Sequence, residues 1–213
     1  MTDLSRFQHP RFARRYVRIS DRLEDLGAED LRRELVQGLR GAIADIGCGD
    51  GKNFAHYPAT VDQVVAVEPD ATLRGLAERA AECAPVPVRV VPGHADELPI
   101  ESHSLDAVVI TLVLCSVPDP DTALAEVHRV LRPGGELRFG EHVRAQSWLG
   151  GAVQDLLTPL ARRFDGNCHL NRDTVAALRR SELTVTRLRR FSFPFAPLLP
   201  GEPMVAGTAV KRG

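Results

Sequence analysis

Apolar residues recur at helical spacing over residues 10 to 39. Phe12, Tyr16, Ile19 and Leu23 form one stripe, and Leu31, Leu35 and Leu39 a second, with Gly27 as the break between two amphipathic helices. After residue 41 the pattern changes to short apolar runs alternating with helical segments. It predicts a strand at 42–46, a helix from about Lys52, a strand at Gln63–Glu68, a helix over 71–83 and a strand at Val86–Val91. A strand at Leu105–Thr111, a helix over 120–131 and a strand after Pro133-Gly134-Gly135 continue the series. This β-then-α order implies a parallel sheet with helices on both faces, whose ligands sit beyond the carboxyl ends of the strands.

The order then changes. Residues 151–163 read as a helix that Pro159 kinks or shortens, and Asn171 is placed to cap a helix over 172–181. Strands near 183–192 and 204–211 form an expected antiparallel edge, joined by a proline-rich loop at 194–203. The division is into a helical lid over 1–40 and one globular unit over 41–213.

Composition narrows the classes of partner. The 27 basic and 28 acidic residues among 213 balance, which speaks against a nucleic-acid face. No apolar run is long enough to span a bilayer and no signal-like core opens the chain, so a cytoplasmic location is expected. The first helix carries Arg11, Arg14, Arg15, Arg18 and Arg22, and is read as a solvated helix packed over a pocket, with a membrane-surface helix as the alternative. Cys48, Cys83, Cys115 and Cys168 are widely spaced without a C-x-x-C pair, so neither a metal site nor a disulfide framework is expected. Oligomeric state leaves no mark on the sequence.

The chemistry concentrates in Ala42-Ile-Ala-Asp-Ile-Gly-Cys-Gly-Asp-Gly51 and in Glu68. Gly47, Gly49 and Gly51 let the turn after the first strand take positive φ and approach a ligand closely. A carboxylate ending the next strand suits ribose hydroxyls. A dinucleotide fingerprint needs G-x-G-x-x-G, yet Lys52 stands where its third glycine belongs, which disfavours a dehydrogenase. Asp45 and Asp50 place negative charge beside the turn, suited to a ligand with a free amine rather than a pyrophosphate.

This D-x-G-x-G-x-G turn with its downstream Glu68 resembles the first motif of class I S-adenosylmethionine (SAM) dependent methyltransferases. The resemblance implies a Rossmann-like, seven-stranded, mostly parallel sheet, with SAM as cofactor and S-adenosylhomocysteine as product. It assigns Asp45, Gly47, Cys48, Gly49 and Gly51 to the methionine part, and Glu68 with Pro69 to the ribose. His94 and Ala95 fall where an acidic residue and a small apolar one usually bracket adenine. Thr111 and Leu112 lie where the transferring methyl should sit, and Tyr16 is placed to close over the donor.

Thr-Leu-Val-Leu-Cys-Ser-Val (111–117), Arg-Val-Leu-Arg-Pro-Gly-Gly (129–135), Glu141-His142-Val143 and Phe-Asp-Gly (164–166) followed by Cys168 narrow this further. They resemble the alkyl-thiol S-methyltransferases of animals and their soluble bacterial relatives, over residues 41 to 211. That similarity implies a small apolar thiol as acceptor. Thiol methylation needs little general-base power, because a cysteine-like thiol ionises near pH 8.5. His142 is the first candidate for a base, His169 the second, and Asp165 is placed to orient either imidazole. A structural role for these three stays open, and Cys115 reads as a small buried residue. Phe7, Phe12, Tyr16, Trp148, Leu149 and Phe164 are candidates for an apolar acceptor pocket. O- or C-methylation of a quinone, phenol or lipid-like metabolite, and SAM binding without catalysis, are the alternatives.

Overall fold

The computed structural model describes residues 3–164, 166–195 and 201–213. A seven-stranded sheet forms the centre: β1 Gly41–Ile46, β2 Val61–Val67, β3 Val88–Val91, β4 Leu105–Thr111, β5 Leu131–His142, β6 Leu183–Phe193 and β7 Glu202–Lys211. Its order is β3-β2-β1-β4-β5-β7-β6. β7 runs antiparallel to both β5 and β6, so the reversed strand lies one place in from the edge and β6 forms the edge itself.

β1 is central and pairs in parallel with β2 on one side and β4 on the other. The connections from these two neighbours run to opposite halves of the sheet, which opens the crevice beyond the carboxyl end of β1. Ile43, Ala44 and Ile46 are fully buried there, as a strand covered on both faces requires.

The helices are α1 Pro10–Leu23, α2 Glu29–Val36, α3 Ala71–Ala81, α4 Pro120–Val130, α5 Trp148–Phe164 and α6 Thr174–Arg180. Gly27, at φ +102°, turns the chain between α1 and α2. Leu23, Ala28, Leu31 and Leu35 of this helical pair share a buried cluster with Phe193, Met204 and Ala206. The pair therefore packs on the sheet near β7, and α1 reaches across to α3.

Four local expectations are corrected. No α-helix follows the glycine turn; residues Phe54–His56 make one 3₁₀ turn. Tyr57 precedes Pro58 and is extended at φ −62°, ψ 130°, the conformation a following proline imposes. α5 runs through Pro159 to Phe164, held at its middle by the bidentate pair of Arg144 with Asp155. The cap of α6 is Asp173, whose side chain accepts from Ala176 N at 2.9 Å, while Asn171 donates to Asp155 instead. Pro133-Gly134-Gly135 lies inside β5, where the register with β4 shifts, rather than before it. Among the described residues no helix is long and apolar enough to cross a membrane.

Candidate active site

The ends of β1, β2 and β4, the loop after β3, and the N-terminal segment enclose a cavity of about 440 Å³. Tyr16, Gly47, Gly49, Glu68, Pro69, His94, Ala95, Thr111 and Leu112 line it together. Residues 46–118 thus supply one wall, Arg6 to Tyr16 a second, and Arg162, Gly166 and Asn167 a third.

The glycine turn is shaped by close approach. A Cβ on Gly47, at φ +64°, would lie 2.5 Å from a Val113 methyl, so only glycine fits between β1 and the turn after β4. Gly49 donates its N–H to Glu68 Oε2 at 2.9 Å, and Asp70 N donates to Oε1 at 2.9 Å. Glu68 is thereby fixed at the mouth of the strand with both oxygens oriented. Burial pushes its carboxyl up to about 7, against the two amides that pull it down.

Asp45 stands one layer behind this wall. Its carboxylate accepts from Asn53 Nδ2 at 3.0 Å and from the Tyr57 hydroxyl at 3.0 Å. Arg32 Nη1 in turn donates to Asn53 Oδ1 at 3.0 Å. The buried chain Arg32–Asn53–Asp45–Tyr57 therefore braces the turn from beneath, and burial raises Asp45 to about 6. Cys48 packs with Phe54 and Tyr57 in the same layer, and Gly51 with Phe54, so neither lines the cavity.

The N-terminal segment is latched to the donor end. Gln8 Nε2 donates to Pro69 O at 2.8 Å, its Oε1 accepts from Ala71 N at 3.1 Å, and His9 N donates to Asp70 Oδ2 at 2.9 Å. Phe7 stacks on His94 with centroids 4.8 Å apart. Tyr16 faces the Gly49 turn, and burial together with Asp50 pushes its phenol up to about 12, so it stays a neutral hydroxyl.

Leu112 has φ +59°, and its N–H donates to Gly140 O at 2.8 Å. A leucine held in the left-handed region stores roughly 1–2 kcal/mol of strain. What holds the segment is Glu141, fully buried, whose Oε1 accepts from Val113 N (2.8 Å) and Leu114 N (3.0 Å) and whose Oε2 accepts from Cys115 N (3.2 Å). Burial raises this carboxyl to about 7 although all three amides favour the ionised form. Glu141 thus makes hydrogen bonds at the end of β5, the structural role open to Glu141-His142 from the sequence.

The expected bases lie elsewhere. His142 and His169 are outside the cavity wall, and Asp165 lies outside the described residues. His142 is buried beside Cys115 and Cys168. The Nδ1 of His169 lies 3.2 Å from Arg172 Nη2 and 3.3 Å from the carbonyl oxygen of Cys115. Partial burial and then Arg172 lower the pKa of His169. Of the apolar candidates, Phe7, Phe12 and Tyr16 line the cavity, whereas Trp148 (84% exposed), Leu149 and Phe164 point to solvent along α5.

The wall fits an adenosyl-amino acid group. Glu68 offers an oriented carboxylate, and among the described residues Thr111 Oγ1 and His94 Nδ1 are buried polar atoms without a hydrogen-bond partner. Both residues line the cavity, where a bound polar group would satisfy them. Fold and cavity together define a nucleoside-binding α/β enzyme. Its 36% identity to a human methyltransferase over 86% of the chain places it among the SAM-dependent methyltransferases, with SAM as cofactor.

Residues 44–139 match a methyltransferase domain family model. The human thiol S-methyltransferase TMT1B is 36% identical over 197 residues, covering 86% of this chain and 79% of that protein. Human thiol S-methyltransferase TMT1A is 34% identical over 192 residues, with 84% and 78% covered. A crystal structure of a putative methyltransferase from Bacillus halodurans shares the fold with a TM-score of 0.73 at 13% identity, covering 87% of this chain and 99% of that one.

Proposed function

We propose that this methyltransferase acts on sulfur, transferring the SAM methyl group to a small apolar thiol. The observation that carries the reading is the similarity to thiol S-methyltransferases over more than four fifths of the chain. The cavity supports it. Phe7, Phe12, Leu112, Val113 and Val117 supply an apolar wall, and Arg6 and Arg162 supply positive charge. A thiol ionises near pH 8.5, so a positive field suffices to raise its thiolate fraction, whereas a phenol near pH 10 calls for a base. His142 and His169 are not among the lining residues, and the imidazoles that are, His9 and His94, lie at the donor end beside Asp70 and Phe7.

Bound SAM supplies an electrophilic methyl group on a sulfonium. In this reading Glu68 accepts from the ribose hydroxyls, and His94 with Ala95 borders the adenine. Gly47 and Gly49 admit the amino-acid part, while Asp45 acts from behind by holding their turn through Asn53 and Tyr57. Thr111 and Leu112 border the transfer site, and Tyr16 and Phe12 exclude water above it. The protein's contribution is alignment and desolvation of a nucleophile that is already reactive.

The test is a panel of thiols, phenols, quinones and amines incubated with methyl-labelled SAM. Label is expected in alkyl thiols, as thioethers. Label in a phenol or quinone with none in any thiol would replace S-methylation by O- or C-methylation. Binding of S-adenosylhomocysteine with no label transferred to any acceptor would leave a SAM-binding protein without catalysis.

A further inference from the structure

Cys115, His142 and Cys168 are 26 to 53 positions apart in sequence, yet they converge behind the cavity wall. One ligand atom from each lies within 4.8 Å of the other two, and all three residues are buried. His142 Nδ1 is 3.6 Å from Cys168 Sγ. Tetrahedral zinc, with Zn–S near 2.3 Å and Zn–N near 2.05 Å, places S and N about 3.6 Å apart and two sulfurs about 3.8 Å apart. One edge of such a site is thus already at its length, and the others close within about 1 Å.

Two of the three ligands are also held in place. Glu202 Oε2 stands 3.2 Å from His142 Nε2, on the ring nitrogen opposite the thiols. The pair is within ion-pair distance without a hydrogen bond of good geometry, and a small turn of either side chain would give the carboxylate that orients a metal-bound imidazole and fixes its tautomer. Thr174 Oγ1 donates to His142 O at 3.1 Å, and Phe195 covers the imidazole with ring centroids 4.6 Å apart. Cys115 N is held by Glu141, and Cys115 O accepts from His169 N at 2.9 Å. Charge favours zinc over a monovalent ion: two thiolates and a neutral imidazole cancel Zn(II), leaving no net charge in a buried place.

We propose that Cys115, His142 and Cys168 bind one zinc ion, with water in the fourth position, as a clasp joining three segments of the cavity wall. Cys115 is contiguous with Val113 and Ser116–Pro118, Cys168 with Gly166 and Asn167, and His142 ends β5. The ion lies outside the cavity and so holds the acceptor side in place rather than activating substrate. Binding releases the two thiol protons to solvent and forms two Zn–S bonds and one Zn–N bond.

The full chain, purified without chelator and kept reduced with a phosphine, is assayed for metal content and titrated with Co(II). About one zinc per chain is expected, with Co(II) giving thiolate charge-transfer and tetrahedral ligand-field bands. Cys168→Ser should abolish the charge-transfer intensity of that sulfur, and Glu202→Gln should weaken Co(II) binding roughly 10–100-fold. The Glu202 variant and the unmodified chain carry the test should Cys168→Ser not fold. Absence of zinc together with absence of a thiolate–Co(II) band from folded protein overturns the proposal. An unmodified chain whose Cys115 and Cys168 are found as a disulfide under the same conditions also overturns it.

Discussion

Replacing Glu68 by Gln tests the donor site at its most constrained atom pair. Glu68 is 5% exposed, and each oxygen accepts one backbone N–H at 2.9 Å, from Gly49 and from Asp70. A glutamine offers a single acceptor oxygen, so one of those amides must face an NH₂ donor. Leaving one buried donor unpaired costs about 1–3 kcal/mol. That cost falls on stability; in binding, the variant loses one ribose hydrogen bond to a charged acceptor, about 1.5–3 kcal/mol, or roughly a 10- to 150-fold rise in Kd. A second signature comes from protonation. Burial sets the carboxyl at about 7, and only its ionised form accepts from two ribose hydroxyls while keeping both amides. The ionised fraction is then about 10% at pH 6 and about 90% at pH 8, so wild-type affinity should rise roughly ninefold over that range. Calorimetric titration with S-adenosylhomocysteine at pH 6, 7 and 8 reads both effects. Glu68→Gln should bind more weakly at pH 8 and show a flat profile. A variant that keeps wild-type affinity at pH 8, or a wild type with no pH dependence, would refute the reasoning.

Gly47→Ala should lose both donor binding and stability. Its Cβ meets Val113 at 2.5 Å and its φ is left-handed, together about 2–4 kcal/mol, read by urea unfolding. Glu141→Gln removes one acceptor from three amides and should lower stability by about 1–3 kcal/mol in thermal unfolding. The wild type should also be more stable at pH 5 than at pH 7. Glu68 and Glu141, both near 7 when folded, keep protons that the unfolded chain releases near 4.3, so stability falls as pH rises through that window. Glu141→Gln should flatten part of that slope, and a wild-type slope of opposite sign would contradict the burial argument. His142→Ala should leave the shape of the pH–rate profile with a thiol unchanged, because the imidazole lies outside the cavity. A lost inflection would return it to the role of base.

The strands legible in the sequence were those with near-continuous apolar runs. β4 has the predicted bounds, and β1 differs by one residue, because strands buried on both faces are predominantly apolar, here interrupted only by Asp45 in β1 and by Asp106 and Thr111 in β4. Of the donor residues expected from the sequence, Gly47, Gly49 and Glu68 line the cavity, whereas Asp45, Cys48 and Gly51 lie behind it. What sequence could not reveal was convergence across long separations. Arg32, Asn53, Asp45 and Tyr57 form one buried chain, yet each alone reads as an ordinary polar residue. Cys115 and Cys168 carry no short-range spacing, and only the stacking of the β4 turn against the loop after α5 joins them. His142, expected from the sequence as a base, is not among the residues that line the cavity: the end of β5 places it beside Cys115 and Cys168.

The position of β7 has a consequence for how the chain reaches this structure. The strand fills the gap between β5 and β6 although it follows both in sequence, with Met204 opposite His142 and Lys211 opposite Leu183. Lys211 Nζ then donates to the carbonyls of His128 (2.7 Å) and Leu131 (2.8 Å), some eighty residues earlier. Until that segment arrives, β5 has one unpaired edge and β6 has no neighbour in the sheet at all. Such non-local closure is slow to form and leaves an apolar edge open to other chains meanwhile. During synthesis the cavity-forming half, β1 to β4, can assemble well before the half that completes the sheet. Chaperone dependence and aggregation should therefore track the last strand, not the nucleotide-binding turn.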